Sequence, residues 1–190
     1  MSNNKIKKVA VVVGHTAGSK GAQSPYLPAE YDYNLEVANK LKQYGCNYDV
    51  FTHRTYSVGY YNMWRETASK INSQDYDLVI ELHYNTASPT AHGTETLHYF
   101  NSKKGNQYAQ IFSNQISEDF GTKLRGIQGA KPLVNKNDRG FYAVYLPKPP
   151  ALIVEPFFGS NEEESNLFRD IDKYAESLHK AIQKCLFFEV

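Results

Sequence analysis

Short apolar runs alternate along the chain with segments in which apolar residues recur at helical spacing. Val9–Val13 is a continuous β-branched run that Gly14 ends, a pattern typical of a strand buried on both faces of a parallel sheet. After a Gly- and Ser-containing loop over residues 14–24, the helical pattern covers residues 30–44, and Gly45 favours a stop there. The chain is therefore predicted to begin with a strand, a loop and a helix.

The same alternation continues to the C-terminal end. The other predicted strands cover residues 48–54, 78–85, 93–100 and 151–158, and the other predicted helices cover residues 60–72, 107–120 and 162–186. Residues 121–150 are rich in Gly, Pro, Asn and Lys, which favours an irregular segment or a hairpin. This order predicts an α/β three-layer sandwich, with a twisted, mostly parallel sheet of about six strands and helices on both faces.

Composition and charge narrow the possible partners. The chain has 21 Lys and Arg against 20 Asp and Glu, so its charge gives no reason to expect a nucleic acid or an acidic membrane surface as partner. Cys46 and Cys185 lack the spacing of a metal site or a disulfide framework, which favours free thiols in a reducing compartment. The N-terminal apolar run is too short for a signal peptide or a membrane span, so we expect cytoplasmic synthesis without membrane insertion.

Polar residues mark the ends of three predicted strands. His15 follows the first strand, His83 lies near the end of the 78–85 strand, and Glu155 interrupts the apolar 151–158 strand. Ligands of open α/β sheets bind beyond the carboxyl ends of the strands. Each residue alone has an ordinary explanation, as a satisfied core histidine or a paired acid, but together they offer the nitrogen and oxygen ligands of a catalytic zinc. Glu30 opens the predicted helix, and from the residues alone the helix dipole explains it better.

Five segments resemble, in order, the landmarks of the zinc-dependent N-acetylmuramoyl-L-alanine amidases. They are VGH at 13–15, EYDYNL at 30–35, LHYN at 82–85, GTET at 93–96 and VEPFFGSN at 154–161. The resemblance spans nearly the whole chain. It implies that His15, Glu30 and His83 bind Zn²⁺ and that Glu155 is the catalytic acid and base.

The resemblance also implies a function. We expect residues 1–190 to form a single catalytic domain, without a separate wall-binding domain, that hydrolyses the amide between N-acetylmuramic acid and L-alanine in peptidoglycan. Without an export signal, a phage endolysin or similar lysis enzyme is expected, which stays in the host cytoplasm until release and acts as a monomer. Two alternatives stay open: a zinc peptidase that cuts stem peptides or cross-links, and an inactive wall-binding module of the same fold.

Some residues depart from the family pattern or have no assigned role. Glu81 stands where many members have a small or hydroxyl residue, and strand alternation places it on the face of His83 and Asn85. It is either a partner that orients a ligand or an exposed acid. Glu95 can also approach the site. The remaining histidines are alternative ligands that we expect to be surface or structural residues: His53, His92, His98 and His179. The aromatic residues that either line a substrate groove or pack in the core are Tyr26, Tyr84, Tyr99 and Tyr142.

Overall fold

The computed structural model describes residues 8–45, 47–55 and 57–187. Within these ranges the strands are Val9–Val13 (β1), Tyr48–Thr52 (β2), Leu78–Leu82 (β3), Glu95–Tyr99 (β4), Ala130–Leu133 (β5) and Ala151–Glu155 (β6). The helices are Glu30–Lys42 (α1), Tyr60–Asn72 (α2), Lys103–Phe120 (α3), Phe141–Tyr145 (α4), Glu162–Leu167 (α5) and Ile171–Phe187 (α6). Residues 1–7, the basic start on which the signal-peptide prediction partly rests, and Cys46 lie outside the described residues.

The six strands form one sheet in the order β2-β1-β3-β6-β4-β5. All neighbouring pairs are parallel except β4 and β6, which are antiparallel. Because parallel strands share their carboxyl edge, the ends of β1, β3 and β6 lie side by side. The reversed direction of β4 brings its first residue to the same edge, where Glu95 is opposite Glu155 in the register.

Helices cover both faces of the sheet, which confirms the predicted three-layer α/β fold. In β1, Val9, Val11 and Val13 pack into a core that contains residues of α1, α3 and α6. Ala10 and Val12 point to the other face and pack with residues of α2 and α4. This two-sided burial explains the uninterrupted β-branched run, because both faces of a central strand need apolar side chains.

The single closing helix predicted over residues 162–186 is wrong. The structure has two helices, because the chain turns at Phe168 and starts again with Asp170, whose carboxylate accepts a hydrogen bond from the Lys173 amide at 3.0 Å. Phe168 is fully buried, and its ring stacks on those of Phe120 and Phe157 at centroid distances of 4.1 and 4.5 Å. Burial of this ring therefore accompanies the break in the helix.

The 121–150 segment is also more regular than predicted, and it contains no hairpin within its described residues. β5 lies at the edge of the sheet and pairs in parallel with β4, and the short helix α4 follows. Pro132 lies within β5, which an edge strand tolerates because one side of its backbone has no neighbour. A four-residue strand that contains proline has too little apolar alternation to be predicted from sequence.

Two further predictions concern Cys185 and membranes. Cys185 is a buried free cysteine in α6, and burial raises the pKa of its thiol far above the ordinary value. Among the helices of the described ranges, none combines the length and apolarity needed to cross a bilayer.

Candidate metal centre and active site

The structure brings the four predicted site residues to one open cleft at the carboxyl edge of the sheet. The cleft has a volume of about 980 Å³, and His15, Glu30, His83 and Glu155 all line it. His15 follows β1, His83 follows β3 and Glu155 ends β6, so three neighbouring strands deliver these side chains to the same place. Their proximity follows from the parallel order of the sheet.

Glu30 lies at the centre of a compact group of polar atoms. It is the first residue of α1 and is only 3% exposed. Its Oε2 lies 2.8 Å from Nε2 of His15, and its Oε1 lies 2.7 Å from Nδ1 of His83. The backbone amides of Ala22 and Tyr84 donate to the same two oxygens at 2.8 and 3.1 Å. A carboxylate held by four nitrogen contacts has one fixed orientation, which the helix dipole alone does not explain.

The charge state of Glu30 follows from these contacts. Burial by itself raises the pKa of the Glu30 carboxyl, but the hydrogen bonds and charges of His15 and His83 outweigh burial and hold this pKa well below its usual range. The carboxylate is thus ionised at neutral pH, as a metal ligand must be.

The donor set fits a metal ion. His15, Glu30 and His83 each offer one ligand atom, and these atoms all lie within 4.8 Å of one another. Tetrahedral zinc, with ligands at about 2.0–2.2 Å, needs ligand atoms about 3.4 Å apart and accepts this mixture of nitrogen and oxygen. Three protein ligands also leave a fourth position for water or substrate.

The loop before α1 is shaped around this group. His15 adopts the left-handed conformation with φ of 67°, which is uncommon for a residue with a side chain and is often found at functional sites. Gly21 has φ of 74°, and a Cβ at this position would overlap the His15 ring and the Glu30 carboxylate. Two backbone hydrogen bonds hold the loop on α1, from Glu30 to Ala22 and from Tyr31 to Lys20, both at 3.0 Å.

Glu155 has a different environment on the same cleft. Asn85 donates to its Oε2 at 2.6 Å, and the same amide nitrogen lies 3.4 Å from Oε1 of Glu95. Burial, assisted by the Glu95 charge, raises the pKa of Glu155 to about 7, although His83 and Asn85 oppose the rise. A carboxyl group with this pKa can both accept and return a proton near neutral pH.

The roles left open for Glu81 and Glu95 are now clearer. Glu81 is 2% exposed, so the exposed-acid interpretation is wrong. It lies between His83 and His53, whose interactions overcome burial and lower the pKa of Glu81 to about 2. Glu95 approaches Glu155 through Asn85, as expected, and also lies 3.4 Å from Lys131 and Arg125.

Several residues of the cleft were not predicted. Tyr60 and the basic side chains of Lys131, Lys136 and Arg139 line it, and the basic residues come from the 121–150 segment. The high Lys content of that segment was the available signal, but without its fold the segment had no position relative to the site. Of the predicted groove aromatics, Tyr84 lines the cleft and also packs in the core beside Phe157, while Tyr142 packs on Tyr60 and Tyr61.

Comparisons with known proteins identify the family and the fold of this chain. The family model described as Amidase_3, N-acetylmuramoyl-L-alanine amidase, matches residues 9–186. An uncharacterized protein of Bacillus subtilis (strain 168), YqiI, is 26% identical over 168 residues, which are 84% of this chain and 74% of that protein.

Solved structures share the fold over almost the full length. The catalytic domain of the CD27L endolysin targeting Clostridia difficile has a TM-score of 0.76 and 26% identity, and the match covers 94% of this chain and 97% of that chain. An N-acetylmuramoyl-L-alanine amidase from Clostridium difficile 630, 23% identical, has the same fold with a TM-score of 0.76, covering 97% of this chain and 99% of that one. Since the family match runs from β1 to α6, the chain belongs to the Amidase_3 family of N-acetylmuramoyl-L-alanine amidases.

Proposed function

We propose that this amidase depends on zinc and hydrolyses the amide bond between N-acetylmuramic acid and L-alanine in bacterial peptidoglycan. The observation that carries the proposal is the convergence of His15, Glu30 and His83 on one point of a cleft that Glu155 also lines. Family membership supports the substrate class. The geometry supports a metal hydrolase, because it combines three ligands with a proton-transfer group.

His15, Glu30 and His83 are the residues that would hold the metal. When bound, zinc supplies Lewis acidity, which lowers the pKa of a water molecule and polarises the scissile carbonyl group. The imidazoles of His15 and His83 keep Glu30 ionised, so a negative charge is already present at the position of the cation. The carboxylate charge also offsets the cost of placing a dication in a partly buried site.

Glu155 moves the protons in the proposed mechanism. Its carboxylate form takes a proton from the attacking water, and the resulting acid gives this proton to the amine that leaves. The Asn85 side chain donates to Oε2 of Glu155 and so fixes the carboxylate within the cleft. A pKa of about 7 suits this cycle, since neither protonation state is strongly disfavoured at neutral pH.

Basic side chains line one part of the cleft. They are Lys131, Lys136 and Arg139, with Asp138 among them. These side chains suit an anionic peptide substrate, since charge complementarity assists encounter and orientation.

We further propose a role in lysis, as for an endolysin. This role is supported by the 26% identity and full-length fold match to the catalytic domain of the CD27L endolysin. Cytoplasmic residence before release, monomeric state and the absence of a separate wall-binding domain stay predictions.

Product analysis of digested peptidoglycan tests the activity. Purified walls are incubated with the protein, and new amino termini are identified and counted. New N-terminal L-alanine, lost on chelation and restored by zinc, is the expected result. New termini at other stem residues would instead identify a peptidase, and sedimentation with walls without any product would identify a binding module.

The lysis role needs a separate experiment. The protein is expressed in the cytoplasm of a bacterium whose walls it digests, and culture turbidity is followed before and after the membrane is permeabilised. A fall in turbidity that requires permeabilisation supports a lysis enzyme held inside the cell. Rapid lysis without permeabilisation, or none after it, would contradict this role.

A further inference from the structure

Glu81 is a buried acid that the mechanism above does not use. It lies in β3, 2% exposed, and its side chain points to the sheet face covered by α2 and α4, with Val12 beside it in the register. A carboxylate in such surroundings costs free energy unless polar partners compensate for its lost hydration. The partners of Glu81 therefore indicate why an acid occupies this position.

One partner is His53, which follows β2 and is 4% exposed. Its Nε2 lies 3.1 Å from Oε1 of Glu81, and its Nδ1 lies 2.9 Å from the hydroxyl of Thr67 in α2. A His53 ring that carries a proton on Nε2 donates to Glu81, while its Nδ1 contacts the Thr67 hydroxyl, which itself donates to the backbone oxygen of Met63 at 3.2 Å. His53 is therefore a structural residue, as expected, because its ring links the Glu81 carboxylate to Thr67 of α2.

The other oxygen of Glu81 is directed at His83. Oε2 is buried and makes no hydrogen bond of good geometry with the described residues; it faces Nε2 of His83 at 3.3 Å. On the other side of the same ring, Nδ1 lies 2.7 Å from Glu30. The two ring nitrogens of His83 therefore face two different carboxylates, one within the ligand group and one outside it.

Gly14 lies against the His83 ring. In the register, Val13 is level with Thr52 and with Leu82, so the next positions, 14, 53 and 83, are neighbours at the sheet edge. A Cβ on Gly14 would overlap the His83 ring at Cε1 and Nε2. The ring therefore lies over the Gly14 backbone, with its Nε2 3.3 Å from Oε2 of Glu81.

We propose that Glu81, anchored by His53, is a positioning residue that holds His83 with its proton on Nε2 and its Nδ1 lone pair directed at the metal. Carboxylates that accept the second N–H of a histidine ligand fix both the tautomer and the ring orientation. This inference rests on the proposed metal site. It assigns Nδ1, and not Nε2, as the ligand atom of His83.

Zinc affinity tests the proposal independently of turnover. The zinc dissociation constant is measured by competition with a chelator for the parent protein and for Glu81→Ala, Glu81→Gln and His53→Gln. Glu81→Ala is expected to weaken zinc binding about 10- to 100-fold, the usual effect of removing such a partner. Glu81→Gln keeps an oxygen that can accept from Nε2, so it is expected to recover part of this loss.

The role of His53 predicts a specific pattern in double variants. If His53 acts through Glu81, His53→Gln weakens zinc binding in the parent but adds little to Glu81→Ala. Matched controls are Glu164→Gln and His98→Gln, which change another buried acid and another buried histidine that contact neither His83 nor Glu81. The controls are expected to lower stability without changing zinc affinity.

Nuclear magnetic resonance of the ¹⁵N-labelled parent protein decides the outcome even if Glu81→Ala does not fold. The expected spectrum of the zinc-loaded protein shows His83 with a proton on Nε2 and metal on Nδ1. Metal on Nε2 would overturn the proposal, as would parent-like zinc affinity in Glu81→Ala or equal losses in the controls. A parent protein that binds no zinc would instead refute the proposed function itself.

Discussion

Glu30 and Glu155 line the same cleft, but their surroundings move their pKa values in opposite directions. Burial raises the pKa of both carboxyls. The hydrogen bonds and charges of two imidazoles then reverse the effect at Glu30, whereas Glu155 has one amide donor and the neighbouring charge of Glu95. The partners of each carboxyl group, more than its burial, thus set its pKa. This pKa decides whether the group is suited to bind a cation or to transfer a proton.

The largest effect on zinc binding and activity is expected from replacing Glu30. Glu30→Gln keeps the shape of the side chain but removes the charge that faces His15 and His83. We expect more than about a 100-fold loss of zinc affinity, beyond the usual cost of changing a residue that only supports a ligand, and loss of wall digestion with it. Metal content after dialysis and release of N-terminal L-alanine are the measurements.

Glu36→Gln is the matched control, since Glu36 is an exposed acid on the same helix. It should retain both zinc and activity. Stoichiometric zinc in Glu30→Gln would show that the metal is bound elsewhere.

Glu155→Gln removes the proposed proton-transfer group and should therefore reduce catalysis without abolishing metal binding. Zinc should stay bound, because Glu155 is not one of the three clustered ligands. Turnover should fall about 10²- to 10⁴-fold, the usual contribution of a general acid and base. Zinc content and product release are measured on the same preparation, with the exposed Glu163→Gln as control. Full turnover with zinc bound, or loss of zinc, would contradict the assigned role.

Sequence patterns predicted Glu155 as a site residue better than they predicted Glu30. His15, His83 and Glu155 follow strong apolar runs, and the parallel order of those strands brings their ends together. Glu30 is different, because its pattern is that of any acid in the first turn of a helix. Only the family resemblance separated these two explanations, and the structure then placed Glu30 between two histidines.

Contacts between distant segments were beyond prediction from local pattern. Glu81 and His53 are 28 residues apart, and β1 lies between their strands, so no periodicity within either strand signals their contact. The basic cleft wall comes from residues 121–150, whose short strand includes a proline. Such features depend on tertiary packing, whereas Val9–Val13 and α2 were predicted with the observed bounds because their periodicity is local.

The pH dependence sharpens the comparison further. Glu155 must be ionised to accept a proton, so kcat/KM should rise with pH through an acid limb. The limb is expected at or below about 7, because the pKa of Glu155 is about 7 without metal and a bound cation lowers it. Glu30 is already ionised across this range and should not contribute. A limb well above 7 would exclude Glu155 as its source.

The pH dependence of the stability of the metal-free protein gives a second measure of the pKa of Glu155. The folded pKa of Glu155, about 7, exceeds the ordinary carboxyl value of 4.5, so the folded state binds this proton more tightly than the unfolded state. The stabilisation from Glu155 is therefore complete below about pH 4.5 and is lost as pH rises to about 7. Relative to Glu155→Gln, the parent should lose stability over that interval, as thermal unfolding at several pH values can measure.

The smallest expected effects come from the neighbours of Glu155, and they have opposite signs. The Glu95 charge raises the pKa of Glu155 and the Lys131 charge lowers it. Glu95→Gln should therefore move the acid limb of kcat/KM to lower pH, and Lys131→Gln should move it to higher pH. Because both residues modify a shift that burial dominates, each displacement should be smaller than the difference between Glu155 and an ordinary carboxyl. If both variants displace the limb in the same direction, charge at these two positions does not set the pKa of Glu155.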